Sequence, residues 1–324
     1  MNADTLILNQ DADNTAKYKI IDLFAGIGGI RSGFERVFKD ECNIVFSSEI
    51  DKNAQKTYYA NYNDLPYGDI TKIDEREIPA HDIVLAGFPC QAFSVAGHRK
   101  GFADTRGTLF FDVARIVAYH KPKVLFLENV KGFVNHDKGN TFKIVQKTLE
   151  DLGYKVYSEI LNTKDFGIPQ NRERIYIVAF LDNSINFSFP KKYKLESTIH
   201  DFLEKEVDNI FYYNDKPLYE RIKNDVTNKN TVYQWRRQYV RENKNNVCPT
   251  LTANMGTGGH NVPIIIDNKG IRKLTPKECI RFQGFSEKFK FPKDLALSHK
   301  YKQAGNSVTV SVIEAIAKEI KNVL

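Results

Sequence analysis

Short apolar runs alternate with amphipathic stretches over the first 189 residues of the chain. The apolar runs are rich in β-branched and aromatic residues, which favours strands, and the stretches between them have apolar positions at helical spacing. Strands are predicted at Lys19–Phe24, Asn43–Glu49, Asp82–Ala86, Val124–Asn129, Tyr154–Leu161 and Arg174–Phe180, and helices at Asp51–Tyr62, Thr108–His120 and Thr141–Leu152. This alternation predicts an α/β fold with a doubly wound, mostly parallel sheet.

The pattern changes after residue 190. Between residues 191 and 305, Lys, Arg, Asn, Gly and aromatic residues dominate, and the apolar runs are as short as Val262–Ile266. This composition predicts a second, smaller, irregular domain that contains β-structure. Helical periodicity returns in residues 306–324, so this segment is expected to pack back on the first domain. The expected domains are therefore residues 1–190, 191–305 and 306–324.

The charge of the 324-residue chain is unevenly distributed. The formal net charge is +7, and residues 191–305 contain 22 Lys and Arg against 13 Asp and Glu. Positive charge confined to one segment favours a polyanionic partner such as nucleic acid. Four cysteines without a CxxC pair argue against a disulfide framework or a zinc site. Since no apolar run reaches the roughly 18 residues of a membrane span, a cytoplasmic protein is expected.

The first predicted strand runs into a glycine-rich turn with the sequence Asp22-Leu23-Phe24-Ala25-Gly26-Ile27-Gly28-Gly29. Glycines there let the backbone approach a ligand before a helix begins. Position 31 is arginine, so the third glycine of a GxGxxG dinucleotide fingerprint is missing. Glu49 ends the second strand, where an acidic residue can bind ribose hydroxyls, and Asp69 follows a third extended stretch. An adenosine site without a pyrophosphate points to S-adenosylmethionine.

Three polar segments border apolar strands and are expected at one edge of the sheet. Cys90, in Phe88-Pro89-Cys90-Gln91, follows the third strand, so its thiol would emerge where ligand sites of α/β proteins lie. Glu128 ends the next strand and would bring a carboxylate beside that thiol. The segment Gln170-Asn171-Arg172-Glu173-Arg174 adds two guanidinium groups suited to a carbonyl oxygen or a phosphate. A lone cysteine is more often a small buried apolar residue than a nucleophile. Cys90 becomes a candidate nucleophile because Glu128 and the two arginines are expected beside it.

These segments, together with Gln303-Ala304-Gly305-Asn306-Ser307-Val308, resemble in order and spacing the motifs of small bacterial DNA (cytosine-5) methyltransferases of the restriction–modification type. The resemblance covers nearly the whole chain. It implies an S-adenosylmethionine-dependent methyltransferase fold with a target-recognition domain, and methyl transfer to carbon 5 of a flipped-out cytosine in a short double-stranded DNA sequence. It also implies S-adenosylhomocysteine as product, a monomer, and protection of host DNA from a cognate restriction endonuclease without obligatory contact.

The resemblance also implies roles for individual residues. Cys90 would add to carbon 6 of the cytosine, and Glu128 would hydrogen-bond or protonate ring nitrogen 3. Arg174, with Arg172, would hold the cytosine carbonyl. The cofactor-binding residues would be Phe24, Ala25, Gly26, Gly28, Gly29, Glu49, Ile50, Asp69, Ile70, Pro89 and Asn306. The DNA-binding residues would be Gln91, Ser94, Arg99, Arg236, Arg237, Arg241, Thr250, Leu251 and Gly258. The base that removes the carbon-5 proton is not assigned, and isoleucine at position 50 replaces the larger aromatic residue of many relatives.

Other interpretations stay open at this level. One is the RNA-directed branch of the same family, which methylates transfer RNA, although the long segment 190–305 favours DNA. Another is a non-catalytic DNA-binding regulator, which the intact Cys90, Glu128 and Arg174 disfavour. Amino-group methyltransferases are disfavoured because the chain has no Asp/Asn-Pro-Pro-aromatic motif. A thiol oxidoreductase is disfavoured by the lack of CxxC.

Overall fold

The computed structural model describes residues 16–89, 109–256 and 261–324. Its largest sheet has six strands in the order β2-β1-β3-β4-β7-β5. These are β1 (Tyr18–Leu23), β2 (Cys42–Ser48), β3 (Ile83–Gly87), β4 (Val124–Val130), β5 (Lys155–Asn162) and β7 (Glu173–Phe180). Strands β1 to β4 pair in parallel, whereas β7 is antiparallel to β4. The predicted α/β class with a mostly parallel sheet is confirmed, and each predicted strand lies within one residue of its observed bounds.

Helices cover both faces of this sheet because its strands are apolar on both sides. They are α1 (Gly29–Phe38), α2 (Lys52–Tyr62), α3 (Leu109–His120) and α4 (Asn140–Asp151). Leu125 and Leu127 of β4 pack in one core with apolar residues of α3 and α4. Phe126, between them, points to the opposite face, where its ring lies 5.2 Å from that of Phe34 in α1. None of the helices in the described part of the chain is long and apolar enough to cross a membrane.

The described residues form two compact units, and the boundary differs from the expected domain limits. The first unit contains the described residues up to Leu161, residues Glu173–Pro190 and residues Ile316–Leu324. The second contains Asn162–Arg172 and Lys191–Ala315. The short segment 162–172, which the sequence pattern puts with the large sheet, therefore belongs to the second unit. The boundary at residue 315 falls within the last helix, α8 (Val310–Val323).

The second unit contains a small antiparallel sheet of order β12-β11-β8-β9. Its strands are β8 (Tyr233–Trp235), β9 (Val240–Glu242), β11 (Val262–Ile266) and β12 (Ile271–Lys273). Two further short strands, β6 (Gln170–Asn171) and β10 (Cys248–Pro249), pair in parallel, and the helices are α5 (Tyr219–Ile222), α6 (Pro276–Phe282) and α7 (Leu297–Asn306). The unit has its own apolar core around Tyr233, Ile264 and Ile271, each at most 2% exposed.

A buried ion pair organises the second unit and was not anticipated from the sequence. Arg272 is 1% exposed and donates to both carboxylate oxygens of Glu278 at 2.8 Å each. Glu278 also accepts from the backbone N–H of Thr275, whose hydroxyl in turn accepts from the N–H of Glu278. This reciprocal capping begins α6. Because the pair is buried, loss of Arg272 would leave the Glu278 carboxylate uncompensated in the core, whereas Arg272 has a second ion pair with Asp267 at 2.7 Å.

Candidate active site

The polar ends of four strands meet at one edge of the large sheet. Strands β1 to β4 run in the same direction, so their carboxyl ends lie at a common edge. Strand β7 runs the opposite way, so its first residues lie at that edge as well, with Arg174 opposite Val130. In the β3–β4 pair, Glu128 stands beside Gly87, three residues before Cys90. The topology therefore brings Glu128 and Arg174 to the end of β3, the strand that precedes Cys90.

Glu128 and Arg174 form a mostly buried ion pair. Arg174 Nε lies 3.1 Å from Glu128 Oε1, and the two side chains are 13% and 11% exposed respectively. Arg174 also donates through Nη1 to the carbonyl of Glu173 at 2.8 Å. The second carboxylate oxygen, Oε2, lies 3.6 Å from the position that a Cβ would occupy on Gly87. The arginine thus orients the carboxylate beside the last residue of β3.

Asn129 anchors the backbone that leads to Cys90. Its amide nitrogen donates to the carbonyl of Phe88 at 2.9 Å, and its Oδ1 accepts from the N–H of Val130 at 2.8 Å. The Phe88 ring is 4% exposed and packs 5.6 Å from the ring of Phe133. The structural role of Asn129 was missed, although it stands next to Glu128 in the segment singled out. Cys90, Gln91, Ser94, Arg99 and Gly258 lie outside the described residues.

The glycine-rich turn adopts an unusual backbone with three residues in the left-handed region. Phe24, Gly26 and Gly28 have φ values of 55°, 56° and 81°. The N–H of Ala25, which is buried, donates to Ser48 at 2.9 Å, which ties the turn to the end of β2. Among the described residues, no atom lies within 4 Å of a Cβ placed on Gly26, and α1 begins at Gly29. No residue in the described part of the chain therefore fills the space beside Gly26.

Glu49 and its neighbours lie next to this turn. Glu49 Oε2 accepts from the N–H of Gly26 at 2.8 Å, and Oε1 accepts from the N–H of Asp51 at 2.7 Å. Burial raises the pKa of the Glu49 carboxyl, and the hydrogen bonds from these two amides oppose that rise. Ile50 is 68% exposed, so it presents an apolar surface beside the carboxylate.

Asp69 and Ile70 stand at a short helical turn after α2. Asp69 Oδ1 accepts from the N–H and the hydroxyl of Thr71 at 3.1 and 2.8 Å, whereas the Ile70 side chain is 3% exposed and belongs to the core. Ser48, which ends β2, pairs with Tyr67, two residues before Asp69. The Phe24 ring, the carboxylates of Glu49 and Asp69 and the backbone at Gly26 suit an adenosine group. Because the third glycine of the dinucleotide fingerprint is missing, the group expected there has no pyrophosphate.

Arg172 has a different environment from Arg174. It is 2% exposed, and within the second unit its guanidinium donates to the carbonyls of Leu251 at 2.9 Å and Gly305 at 3.3 Å, and to that of Ser307. A Cβ on Gly305 would lie 2.2 Å from the carbonyl carbon of Thr252, so only glycine fits there. The segment that resembles a family motif at 303–308 is therefore packed against residues 250–253.

Thr250 and Leu251 are held in the same way. The Thr250 hydroxyl donates to the carbonyl of Asn171 at 2.6 Å, and the N–H of Leu251 donates to Gln170 Oε1 at 3.2 Å. The Leu251 side chain is 1% exposed, so it is not accessible to a base. Asn306, the last residue of α7, is exposed.

The arginines of the β8–β9 hairpin differ in accessibility. Arg236 is partly buried and donates to Asn261 Oδ1 at 2.7 Å. Arg237, with φ of 69°, is exposed at the tip of the hairpin, and Arg241 is exposed on β9. Tyr239 is 57% exposed between them. The hairpin thus presents two accessible cations and one aromatic ring.

The chain is similar to known proteins in sequence and in fold. A sequence model of the family described as C-5 cytosine-specific DNA methylase matches residues 18–322. The chain is 53% identical over 311 residues to Type II methyltransferase M.Bsp6I of Bacillus sp. (strain RFL6), covering 93% of this chain and 98% of that protein. It is 43% identical over 319 residues to Type II methyltransferase M.HhaI of Haemophilus parahaemolyticus, covering 93% and 94%. The S. pombe Dnmt2 methyltransferase structure shares the fold, with a TM-score of 0.75, 21% identity and coverage of 94% and 99%.

Proposed function

The chain belongs to the C-5 cytosine-specific DNA methylase family and is therefore a DNA (cytosine-5) methyltransferase, and from this premise we propose which residues carry out the reaction. The observation that carries the proposal is the Glu128–Arg174 pair beside Gly87, three residues before Cys90. The substrate is a cytosine in double-stranded DNA. Because carbon 5 is inaccessible inside a stacked duplex, the cytosine is flipped out to reach this pair.

Cys90 is the nucleophile in this proposal. Carbon 5 of cytosine is too weak a nucleophile for direct methylation, so the Cys90 thiolate first forms a bond to carbon 6. The electron pair of the 5,6 double bond then makes carbon 5 nucleophilic. That electron pair forms the new bond from carbon 5 to the methyl group. When a base then removes the carbon-5 proton, the electrons of the carbon–hydrogen bond re-form the 5,6 double bond, the bond from sulfur to carbon 6 breaks, and the thiolate is regenerated.

Glu128 and Arg174 stabilise the charge that develops during this addition. Glu128 holds or supplies a proton at ring nitrogen 3, because the pair of electrons displaced by the thiolate accumulates on that side of the ring. Arg174 fixes one Glu128 oxygen and places its charge near the cytosine carbonyl. Arg172 serves as framework, since its guanidinium already binds three backbone carbonyls.

The cofactor of the proposal is S-adenosylmethionine, which supplies a methyl group on a positively charged sulfur when bound. Phe24 offers its ring to the adenine, Glu49 binds the ribose hydroxyls and Asp69 binds the adenine amino group. Ile50 adds the exposed apolar surface described above, and Asn306 binds the methionine end. Two observations support this assignment. No described residue fills the space beside Gly26, and the Glu49 carboxylate accepts from the N–H of Gly26.

The target-recognition domain of the proposal is residues 191–305, which hold the excess of positive charge. Lysines and arginines there bind phosphates, and exposed arginines of the β8–β9 hairpin read base edges. Leu251 keeps the adjoining loop in place, since its side chain is buried. The enzyme acts as a monomer and protects DNA from a cognate restriction endonuclease, a role supported by relatives named Type II methyltransferases.

Arg237→Ala will relax discrimination between the target and sequences that differ by one base pair. Loss of an arginine that binds a guanine edge costs about 1–3 kcal/mol of discrimination. The measurement is kcat/KM on the target duplex and on single-substitution duplexes. Lys229→Ala is the matched control, because Lys229 is an exposed cation of the same unit that bonds Asn268. If Arg237→Ala keeps full discrimination, another residue reads the base.

Incubation with labelled S-adenosylmethionine tests the proposed reaction directly. We expect label in 5-methylcytosine when bacterial DNA is the substrate, and at most trace label with transfer RNA. Hydrolysis to nucleosides and mass spectrometry identify the product and its position on the base. Label on the amino nitrogen, or only in RNA, would contradict the proposal.

A further inference from the structure

A buried polar cluster lies behind the glycine-rich turn, within the first unit. Arg31, in the first turn of α1, is 9% exposed and donates through Nη1 to the Tyr58 hydroxyl at 3.1 Å and to Asp64 Oδ2 at 2.7 Å. Its Nε donates to Glu35 at 2.7 Å. The Tyr58 hydroxyl donates in turn to Asp22 Oδ2 at 3.2 Å. The cluster joins β1, α1, α2 and the segment after α2 through one guanidinium.

Charge and burial make this cluster rigid. Asp22 is 1% exposed, and burial raises the pKa of its carboxyl to about 7, against the lowering effect of Arg31. Tyr58 is fully buried, with 0% exposure. Because an unpaired buried polar group is costly, the side chains of such a cluster hold one arrangement in which most of their hydrogen bonds are made.

Tyr62 connects this cluster to the turn. Its ring lies 4.4 Å from the centre of the Arg31 guanidinium, close enough for a cation–π contact, and 4.8 Å from the Tyr58 ring. Its hydroxyl donates to the carbonyl of Gly28 at 2.8 Å. A Cβ on Gly28 would fall 2.2 Å from the Tyr62 ring. The ring therefore fills the space behind Gly28, and the hydroxyl holds the peptide that joins the turn to α1.

The two ends of the turn are thus held by different groups. Glu49 holds the N–H of Gly26, and Tyr62 holds the carbonyl of Gly28. Gly28 has φ 81°, and its peptide also makes two backbone hydrogen bonds: its N–H donates to the carbonyl of Ala25 at 2.8 Å, and its carbonyl accepts from the N–H of Ser32 at 2.9 Å. The Tyr62 hydroxyl adds a second donor to that carbonyl, from a different helix. Glu49 is already assigned to the cofactor, whereas Tyr62 is not.

We propose that Tyr62 is a positioning residue for S-adenosylmethionine, which fixes the Gly28 peptide through its hydroxyl and is itself held by the Arg31 cluster. This inference rests on the cofactor named in the proposed function. Tyr62 acts through the turn: it sets the backbone against which the cofactor lies before binding occurs. Preorganisation of this kind lowers the entropic cost of binding, and its loss weakens affinity without changing the chemical step.

The test is Tyr62→Phe, which removes only the hydroxyl and keeps the ring behind Gly28. We expect the dissociation constant of S-adenosylhomocysteine, measured by calorimetry, to rise about three- to tenfold, the range of one net hydrogen bond. The KM for S-adenosylmethionine will rise by a similar factor, while kcat at saturating cofactor stays within about twofold. Tyr59→Phe is the control, because Tyr59 is on the same helix but 51% exposed. This variant will change neither the dissociation constant of S-adenosylhomocysteine nor the KM for S-adenosylmethionine.

Hydrogen exchange provides a readout that does not depend on the ligand. Without cofactor, the amides of residues 26–30 will exchange faster in Tyr62→Phe than in Tyr59→Phe. Equal exchange and equal affinity in the two variants would overturn the inference. A wild-type protein that binds neither S-adenosylmethionine nor its product would instead refute the proposed cofactor, and the exchange rates would still test the hold on Gly28.

Discussion

Replacing Cys90 with serine will reduce methyl transfer by on the order of 10⁴-fold or more, because the covalent step then lacks its nucleophile. A serine hydroxyl is nearly isosteric with the thiol but is scarcely ionised near neutral pH. Affinity for S-adenosylhomocysteine and for target DNA will remain within about threefold, since the substitution removes only the atom that bonds to carbon 6. Tritium transfer from labelled S-adenosylmethionine measures the rate.

Cys42→Ser is the matched control for this prediction. Cys42 is partly exposed on β2, and burial raises the pKa of its thiol to about 12, so it is a poor nucleophile. Cys248 and Cys279 are less suitable, because both are buried in the second unit. DNA containing 5-fluorocytosine will form a stable adduct with the wild type and with Cys42→Ser but none with Cys90→Ser. An adduct on Cys90→Ser, or activity above about a tenth of the wild-type rate, would remove Cys90 from the mechanism.

Replacing Glu128 with glutamine will lower the rate of methyl transfer by about 10²- to 10⁴-fold, the usual contribution of a general acid or base. Glutamine keeps the size of the side chain and can still accept from Arg174, but it cannot transfer a proton to ring nitrogen 3 and carries no negative charge to stabilise a protonated one. Single-turnover kinetics with saturating DNA and cofactor isolate this step from binding and product release. Adduct formation on 5-fluorocytosine DNA will slow by a similar factor.

Glu173→Gln is the control for the Glu128 prediction. Glu173 belongs to the same strand as Arg174, but its carboxylate pairs with Lys131 at 3.0 Å and its side chain is 41% exposed. An exposed ion pair contributes at most about 1 kcal/mol, so this variant will remain nearly as active and stable as the wild type. If Glu128→Gln formed the adduct at the wild-type rate, the Glu128–Arg174 pair would be structural and the carboxyl would have no part in the addition.

The large sheet was predictable because its central strands β1, β3, β4 and β7 are apolar on both faces. Each such run of five to eight residues stands out against polar turns, so every predicted strand lies within one residue of its bounds. The order of polar residues at the strand ends was also readable from the sequence. Parallel strands end at one edge, which is why Glu128 could be expected near the segment that follows β3.

The roles of Arg172 and Leu251 could not be read from sequence in the same way. Both stand in segments that resemble family motifs. On that basis Arg172 was expected in catalysis and Leu251 at the DNA. In the fold, the guanidinium of Arg172 donates to the carbonyl of Leu251 at 2.9 Å, and both side chains are at most 2% exposed. A motif shows which residue types occur together, but burial and hydrogen-bond partners come from segments distant in the chain.

The sequence by itself determined the α/β class, the strand positions, the glycine turn and the acid near the end of β4, because each depends on residues that are neighbours along the chain. Only the tertiary structure decided that Arg174 pairs with Glu128 and that Asn129 holds the Phe88 carbonyl. It also decided that Tyr62 closes the space behind Gly28. These contacts join residues 34 to 46 positions apart, and such pairings arise only when packing of the sheet and its helices fixes which side chains share a buried space.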